Sequence, residues 1–379
     1  QLNHLKFFMM KKQSMMLCML VYFFVANFHV MAQKSSKNIY GGLEFRNIGP
    51  AMTSGRIADI AIHPENENVW YVAVGSGGVW KTMNSGTTWK PIFDNQKVYS
   101  TGCITIDSKK PSTIWLGTGE NVGGRHAGFG DGVYVSHNDG KSWKNMGLEN
   151  SEHISKIIVH PENSDIVWVA SQGPLWSKGG DRGVYKTIDG GKSWRRTLGD
   201  AAWVGATDML IDPTNSDVLY AATWQRHRTV AGYLGGGPGS GLHKSIDGGE
   251  TWKALKNGIP SSNLGKTGLA MSPFNSNVIY AALEFDRTKG GVYMTTNGGE
   301  SWSKQSNAVS GGTGPHYYQE IIASPHHEGT IFFMNNSALI SKDHGKTFTN
   351  MSRSNQHSDS HALVFKKSDP NYLLIGTDG

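Results

Sequence analysis

One twelve-residue pattern recurs along the chain and limits what it can fold into. GVYKTIDGGKSW occupies Gly183–Trp194, GLHKSIDGGETW Gly241–Trp252 and GVYMTTNGGESW Gly291–Trp302. GVYVSHNDGKSW lies earlier, at Gly132–Trp143, and GVWKTMNSGTTW earlier still, at Gly78–Trp89. A degenerate copy, ALISKDHGKTF, ends at Phe348. The closing aromatics are 54, 51, 58, 50 and 46 residues apart. A period near fifty, filled with short β-prone runs, is the signature of four-stranded propeller blades.

Each unit reads alike. A first run such as Arg56–Pro64, His153–Pro161 or Thr207–Pro213 ends in a Pro/Asn turn. Proline presets φ there and asparagine bonds its own backbone. A short second run follows (NVWYVAVG, DIVWVAS, DVLYAAT, NVIYAAL), then GVYKT or its equivalent, then a fourth run opened by the aromatic. Between the third and fourth runs stand Asn84, Asn138, Asp189, Asp247, Asn297 and Asp343, whose side chains can accept backbone N–H bonds across the turn. The glycines after them tolerate positive φ. A Ser or Thr two residues earlier can add a hydroxyl bond, and the aromatic is expected to bury its ring between blades. These six Asp and Asn residues are therefore read as structural.

The ends of the chain carry further expectations. Lys11-Lys12, the apolar run Met15–Val30 and the small residues before Ala32 read as a signal peptide cleaved near Ala32, with Met9 or Met10 as the start of translation. The run is too short for a membrane span of the mature chain. The reading is a secreted or periplasmic protein: residues 1–32 leader, 33–42 linker, 43–379 propeller. Glu44–Ile48 matches a fourth strand, while His361–Pro370 and Asn371–Thr377 read as a first and second strand. Seven blades are expected, the N-terminal strand closing the ring, with the last blade incomplete and the chain truncated at its C-terminus.

Composition narrows the function classes. Removing Lys6, Lys11 and Lys12 from 36 basic residues leaves 33 against 30 acids. The mature chain is nearly balanced, which gives no case for nucleic acid. Cys103 is its one cysteine, so an internal disulfide is ruled out. The core must hold the fold.

The spacing S/T-x-D/N-x-G-x-S/T-W resembles the Asp-box, or bacterial neuraminidase repeat. The mature chain is similar to the sortilin-type propeller family, including bacterial members labelled glycosyl hydrolases. The resemblance implies a rigid ring with function on one face. Strand order puts the first-to-second loops and the repeated turns on one face, short and repetitive. The second-to-third and blade-to-blade loops fall on the other, which is irregular. Its long insertions, Gly117–Gly132, Thr223–Gly241 and Leu283–Gly291, supply Glu120, Asn121, Arg125 and His126; Trp224, Gln225, Arg226, His227 and Arg228; and Glu284, Asp286 and Arg287. Blade-to-blade loops add Arg56, Trp203, His316, Tyr317 and Tyr318. Ligand binding is expected from Arg56, Arg125, His126, Trp224, Arg226, His227, Arg228, Arg287, His316 and Tyr317.

Three classes of function compete. The first in order is binding of glycans or of peptides and proteins at the irregular face, as the sortilin resemblance implies. Aromatics and arginines suit either ligand. The alternative is a glycoside hydrolase, sialidase- or xyloglucanase-like, acting on polysaccharide. Its candidate acids are Glu120, Glu284 and Asp286, with Asp378 also conceivable. The sialidase F-R-I-P segment is only mimicked by Phe45–Pro50. The catalytic aspartate expected of xyloglucanase-type enzymes before the first blade's glycine pair is missing from Val74–Gly78. The third is an assembly role, as in the related photosystem assembly factors, which an exported chain argues against. No cofactor is required by any of these. A divalent metal is conceivable on His357, Asp359 and His361, which share one side if that segment is extended.

Overall fold

The computed structural model describes residues 55–200, 202–285, 289–309, 317–351 and 354–379. All belong to one compact unit, Met52–Gly379. Every regular element among them is a β-strand. Six antiparallel four-stranded sheets follow one another along the chain. Blade 1 comprises Ile57–Ile62, Trp70–Val74, Gly78–Thr82 and Lys90–Pro91, and blade 2 comprises Thr101–Ile106, Ile114–Thr118, Val133–Ser136 and Lys144–Asn145. Blade 3 is Ile154–Val159, Val167–Ser171, Gly183–Thr187 and Arg195–Leu198, and blade 4 is Val204–Asp212, Asn215–Gln225, Gly241–Ser245 and Lys253–Leu255. Blade 5 is Leu264–Ser272, Asn275–Phe285, Lys289–Thr295 and Ser303–Ser306, and blade 6 is Ile321–Ala323, Ile331–Phe333, Leu339–Ser341 and Thr349–Asn350. This is a propeller of four-stranded blades.

A two-stranded sheet, Ser360–Phe365 with Leu373–Thr377, follows blade 6. Ala362 packs against Ile60, Val72 and Val74 of blade 1. Leu363 packs with Phe332, Met334 and Ala338 of blade 6. The two-stranded sheet thus sits between the sixth and first blades. Glu67 ties it further by accepting the backbone N–H groups of Lys367 and Ser368 at 2.6 and 3.1 Å. Six four-stranded blades are present among the described residues, against the seven blades expected. The expected closing strand, Glu44–Ile48, lies outside the described residues, as do the leader and linker.

The repeated turns are built alike. The hydroxyls of Thr82, Ser136, Thr187, Ser245, Thr295 and Ser341 accept the N–H four residues on at 2.8–3.0 Å. They also donate to Oδ1 of Asn84, Asn138, Asp189, Asp247, Asn297 and Asp343 at 2.7–3.0 Å. Each Oδ1 in turn accepts the N–H four residues further on, at 2.9–3.0 Å. The next residue adopts left-handed φ, from 53° at Ser85 to 72° at Gly190. That bend aims its N–H at a carbonyl where the same blade's first strand turns into its second, for instance Ser112 O at 2.9 Å and Asp165 O at 3.0 Å. Both sets of short loops therefore share one face, as strand order requires.

The closing aromatics are less buried than expected. Trp89 is 40% exposed, Trp143, Trp194 and Trp252 are half-buried, and only Trp302 is buried. They open the edge strand, which is covered from one side. Trp143, Trp194 and Trp252 reach the preceding blade by donating Nε1–H to Ile92 O, Met146 O and Thr197 Oγ1 at 2.8–3.1 Å. Each second strand instead carries a buried ring: Tyr71, Trp115, Trp168, Tyr220, Tyr280 and Phe332. These interior strands have neighbours on both edges and a blade on each face.

Trp168 is 1% exposed and donates to Gly248 O of the next blade at 3.0 Å. Replacing it by alanine should cost about 3–5 kcal/mol, and Trp194→Ala less, measured by denaturant unfolding; equal losses would show that burial is not the distinction. The turn aspartates give a pH test. The Ser193 hydroxyl, then Thr187, holds Asp189 below the usual carboxylate range; the Thr251 hydroxyl does so for Asp247, and the Thr347 N–H brings Asp343 to about 2. Depressed folded values stabilise the protein above the unfolded pKa near ~4, and that contribution is lost as pH falls through the folded values. The triple variant Asp189→Asn, Asp247→Asn, Asp343→Asn, copying blades 1, 2 and 5, should keep the neutral-pH melting temperature and lose less of it between about pH 4 and 2.

Candidate functional site

On the irregular face, Arg56 immediately precedes the first strand of blade 1 and is buried. Its guanidinium joins three side chains from distant parts of the chain. Nη1 lies 3.1 Å from Glu120 Oε2, Nη2 donates to His126 Nε2 at 2.8 Å, and Nε lies 3.6 Å from Asp378 Oδ1. The ring of Tyr317 lies 5.4 Å from the guanidinium carbon and stacks on His126 at 5.7 Å. With Nε2 accepting from Arg56, the His126 proton sits on Nδ1, facing Tyr317 Oη at 3.5 Å. Gly75 leaves the room for this pair: a Cβ there would fall 3.0 Å from the Glu120 carboxyl and 3.1 Å from Arg56.

The two carboxylates differ in environment. Burial pushes Glu120 up, opposed by Arg56 and by the Gly128 N–H it accepts at 3.3 Å. For Asp378, burial is outweighed by its bond to His361 and by the charges of His361 and Arg56, so it is held low. His361 Nε2 lies 2.8 Å from Asp378 Oδ1, and Tyr318 stacks on the His361 ring at 5.1 Å.

The other expected ligand residues divide into two groups. Arg125 and His126 are exposed, Tyr317 is half-buried, and His227 is half-buried with its ring 4.2 Å from Trp203. Trp224, Arg226 and Arg228 are instead buried. Trp224 donates Nε1–H to Gly235 O at 2.9 Å. Arg226, 0% exposed, donates to Val122 O and Gly173 O at 2.9 and 3.0 Å. Burial, together with Arg182 and Arg228, lowers its pKa to about 9. Arg228 donates twice to Gly123 O, at 3.1 and 2.8 Å. These arginines hold loop backbones together instead of facing solvent. Arg182, which the sequence did not single out, does the same with the carbonyls of Gln172, Gly179, Pro174 and Ser177. Glu284, on the second strand of blade 5, is buried against Gly265. Asp286, Arg287 and His316 lie outside the described residues.

The conceivable metal set is not assembled. Asp359 has φ 66°, so the segment before the strand is bent and the period-two alternation fails. Asp359 Oδ1 accepts Asn336 Nδ2 at 2.7 Å and the Tyr318 hydroxyl. His357 donates to Ser358 O at 2.6 Å, while His361 is held by Asp378. Among the described residues no three His, Cys, Asp or Glu side chains converge on a metal position. Nor is any described helix long and apolar enough to cross a membrane. In the sequence Asp378 is no more than a conceivable acid. Its signal was its place just after a second strand, where blades 1 and 2 carry Gly75 and Gly119.

Residues 131–267 match the family described as sortilin, neurotensin receptor 3. An oligoxyloglucan-reducing end-specific xyloglucanase of Emericella nidulans is 22% identical over 249 residues, which is 60% of this chain and 27% of that protein. A xyloglucanase of Hypocrea jecorina is 27% identical over 183 residues, 45% of this chain and 20% of that protein. The chain thus spans about a quarter of the length of these curated relatives. Among solved structures, a GH74 xyloglucanase from Xanthomonas campestris superposes with TM-score 0.63 at 13% identity, covering 86% of this chain and 51% of the other. YCF48 bound to D1 peptide does so with TM-score 0.56 at 14% identity, covering 89% and 96%. At such identities the structures speak for the fold alone. The chain is thus a β-propeller, a stretch of which matches the sortilin family model, with xyloglucanases among its curated relatives.

Proposed function

We propose that this chain is an exported propeller that acts on polysaccharide at its irregular face, as a glycoside hydrolase. The observation that carries this reading is the Arg56 cluster: one buried guanidinium holds two carboxyl groups whose environments push them in opposite directions. Such divergence is what separates an acid from a base at one pH. Glu120, pushed up, is the proton donor to the leaving glycosidic oxygen. Asp378, held low, stays ionised and takes the proton of the attacking water. Arg56 positions both, and Tyr317 with His126 offers a ring surface for a sugar. The curated relatives named xyloglucanases favour hydrolysis over binding alone and suggest a xyloglucan-type substrate.

A second reading, binding of a peptide or protein, is supported by the sortilin match and by the neighbour seen with a peptide. One experiment separates them. The full chain should release reducing ends from xyloglucan, and Glu120→Gln and Asp378→Asn should each slow release about 100-fold or more while calorimetric binding persists. Saturable binding without release would remove hydrolysis. Neither binding nor release would remove polysaccharide and leave the peptide reading.

A further inference from the structure

The opposite, repetitive face holds a site that the repeat itself reveals. In blades 1, 3 and 4 the covered aromatic of the second strand is paired across the sheet with a lysine: Tyr71 with Lys81, Trp168 with Lys186, Tyr220 with Lys244. Each ammonium lies 5.0–5.7 Å from the ring centroid. Lys81 donates to Asp139 O at 3.3 Å and Lys244 to Gly298 O at 2.7 Å, both carbonyls in the next blade's turn. Lys186 reaches Glu250 Oε1 in the equivalent turn at 2.7 Å. The aromatic's own polar atom is also satisfied in the next turn. Trp168 donates to Gly248 O, Tyr220 to Gly298 O at 2.9 Å, Tyr280 bonds His344 Nδ1 at 2.7 Å, and Tyr71 lies 3.5 Å from Asp139 Oδ1.

Blade 2 breaks both rules. Trp115 is paired with Val135, so the lysine is missing. Trp115 is 1% exposed and its Nε1–H has no partner. A cavity of about 180 Å³ opens at this position between blades 2 and 3, lined by Trp115, Asp107, Asp165 and Gly190 among others. Gly190 holds the place of Asp139, Gly248 and Gly298. Asp107 is 0% exposed; its Oδ1 accepts the N–H groups of Lys109 and Lys110, and its Oδ2 has no partner. One buried donor and one buried acceptor thus line the same space, and each costs free energy while unpaired.

We infer that this cavity binds a small primary ammonium compound that also carries a hydroxyl, an amino alcohol. The ammonium takes the place that Lys81, Lys186 and Lys244 fill elsewhere, donating to Asp107 and the Gly190 carbonyl beside the Trp115 ring. The hydroxyl oxygen accepts the indole N–H, which a lysine side chain from a partner has no atom to do. The exposed Lys110 and Lys192 at the rim oppose a cation and His137 stands beside them, while Asp165 and Asp189 act the other way.

The site is tested on the full chain labelled with 15N at tryptophan, Trp115→Phe assigning the indole signal. Protonated ethanolamine should shift that signal saturably, n-butylamine about tenfold more weakly, and neutral N-acetylethanolamine not at all. Val135→Lys, which supplies the missing ammonium internally, should abolish the response and raise the melting temperature. Asp107→Asn, which keeps the backbone acceptor, should weaken binding at least about tenfold. An unshifted signal, an equal response to the neutral amide, or unchanged binding in both variants overturns the inference.

Discussion

The bond between a turn and the loop beside it governs this structure. Each blade must bring its third-to-fourth turn against its own first-to-second loop, and one left-handed residue aims an N–H to do so. The preceding Ser or Thr hydroxyl and the Asp or Asn carboxyl or amide oxygen fix that residue's conformation. Once set, the turn presents a carbonyl to the previous blade, where a buried indole or phenol finds it. Intra-blade order and inter-blade adhesion therefore rest on the same few atoms. Among the described residues no disulfide assists: Cys103 is free and buried, and burial pushes its thiol up.

This coupling explains what was legible in the sequence. The turn needs particular residue types at fixed spacing, so six copies stood out, and with them the four-stranded unit and the two faces. Which aromatic is buried was not legible from spacing. The box tryptophans are conspicuous but open edge strands, whereas Tyr71, Tyr220 and Phe332 look ordinary inside β-branched runs and carry the packing.

The candidate site was half legible. Loop length pointed to the irregular face, and Arg56, Glu120, His126 and Tyr317 do meet there. Arginine type alone could not tell a ligand contact from a backbone clamp. Arg226 and Arg228 sit in a glycine-rich loop, yet their guanidinium groups are consumed by the carbonyls of Val122, Gly123 and Gly173. Glycine there lets carbonyls crowd a buried cation. The His357–His361 alternation failed for a related reason: one residue at positive φ cancels a period-two argument.

Those clamps carry a consequence for how the face evolves and associates. With Arg226 and Arg228 tying the blade 4 insertion to the loops of blades 2 and 3, and Arg182 bracing its own loop, the backbone there is set before any visitor arrives. Little ordering entropy is then spent at encounter, and shape selection precedes contact. Diversity in recognition falls to outward side chains such as Arg125, which can vary while the scaffold beneath them stays the same.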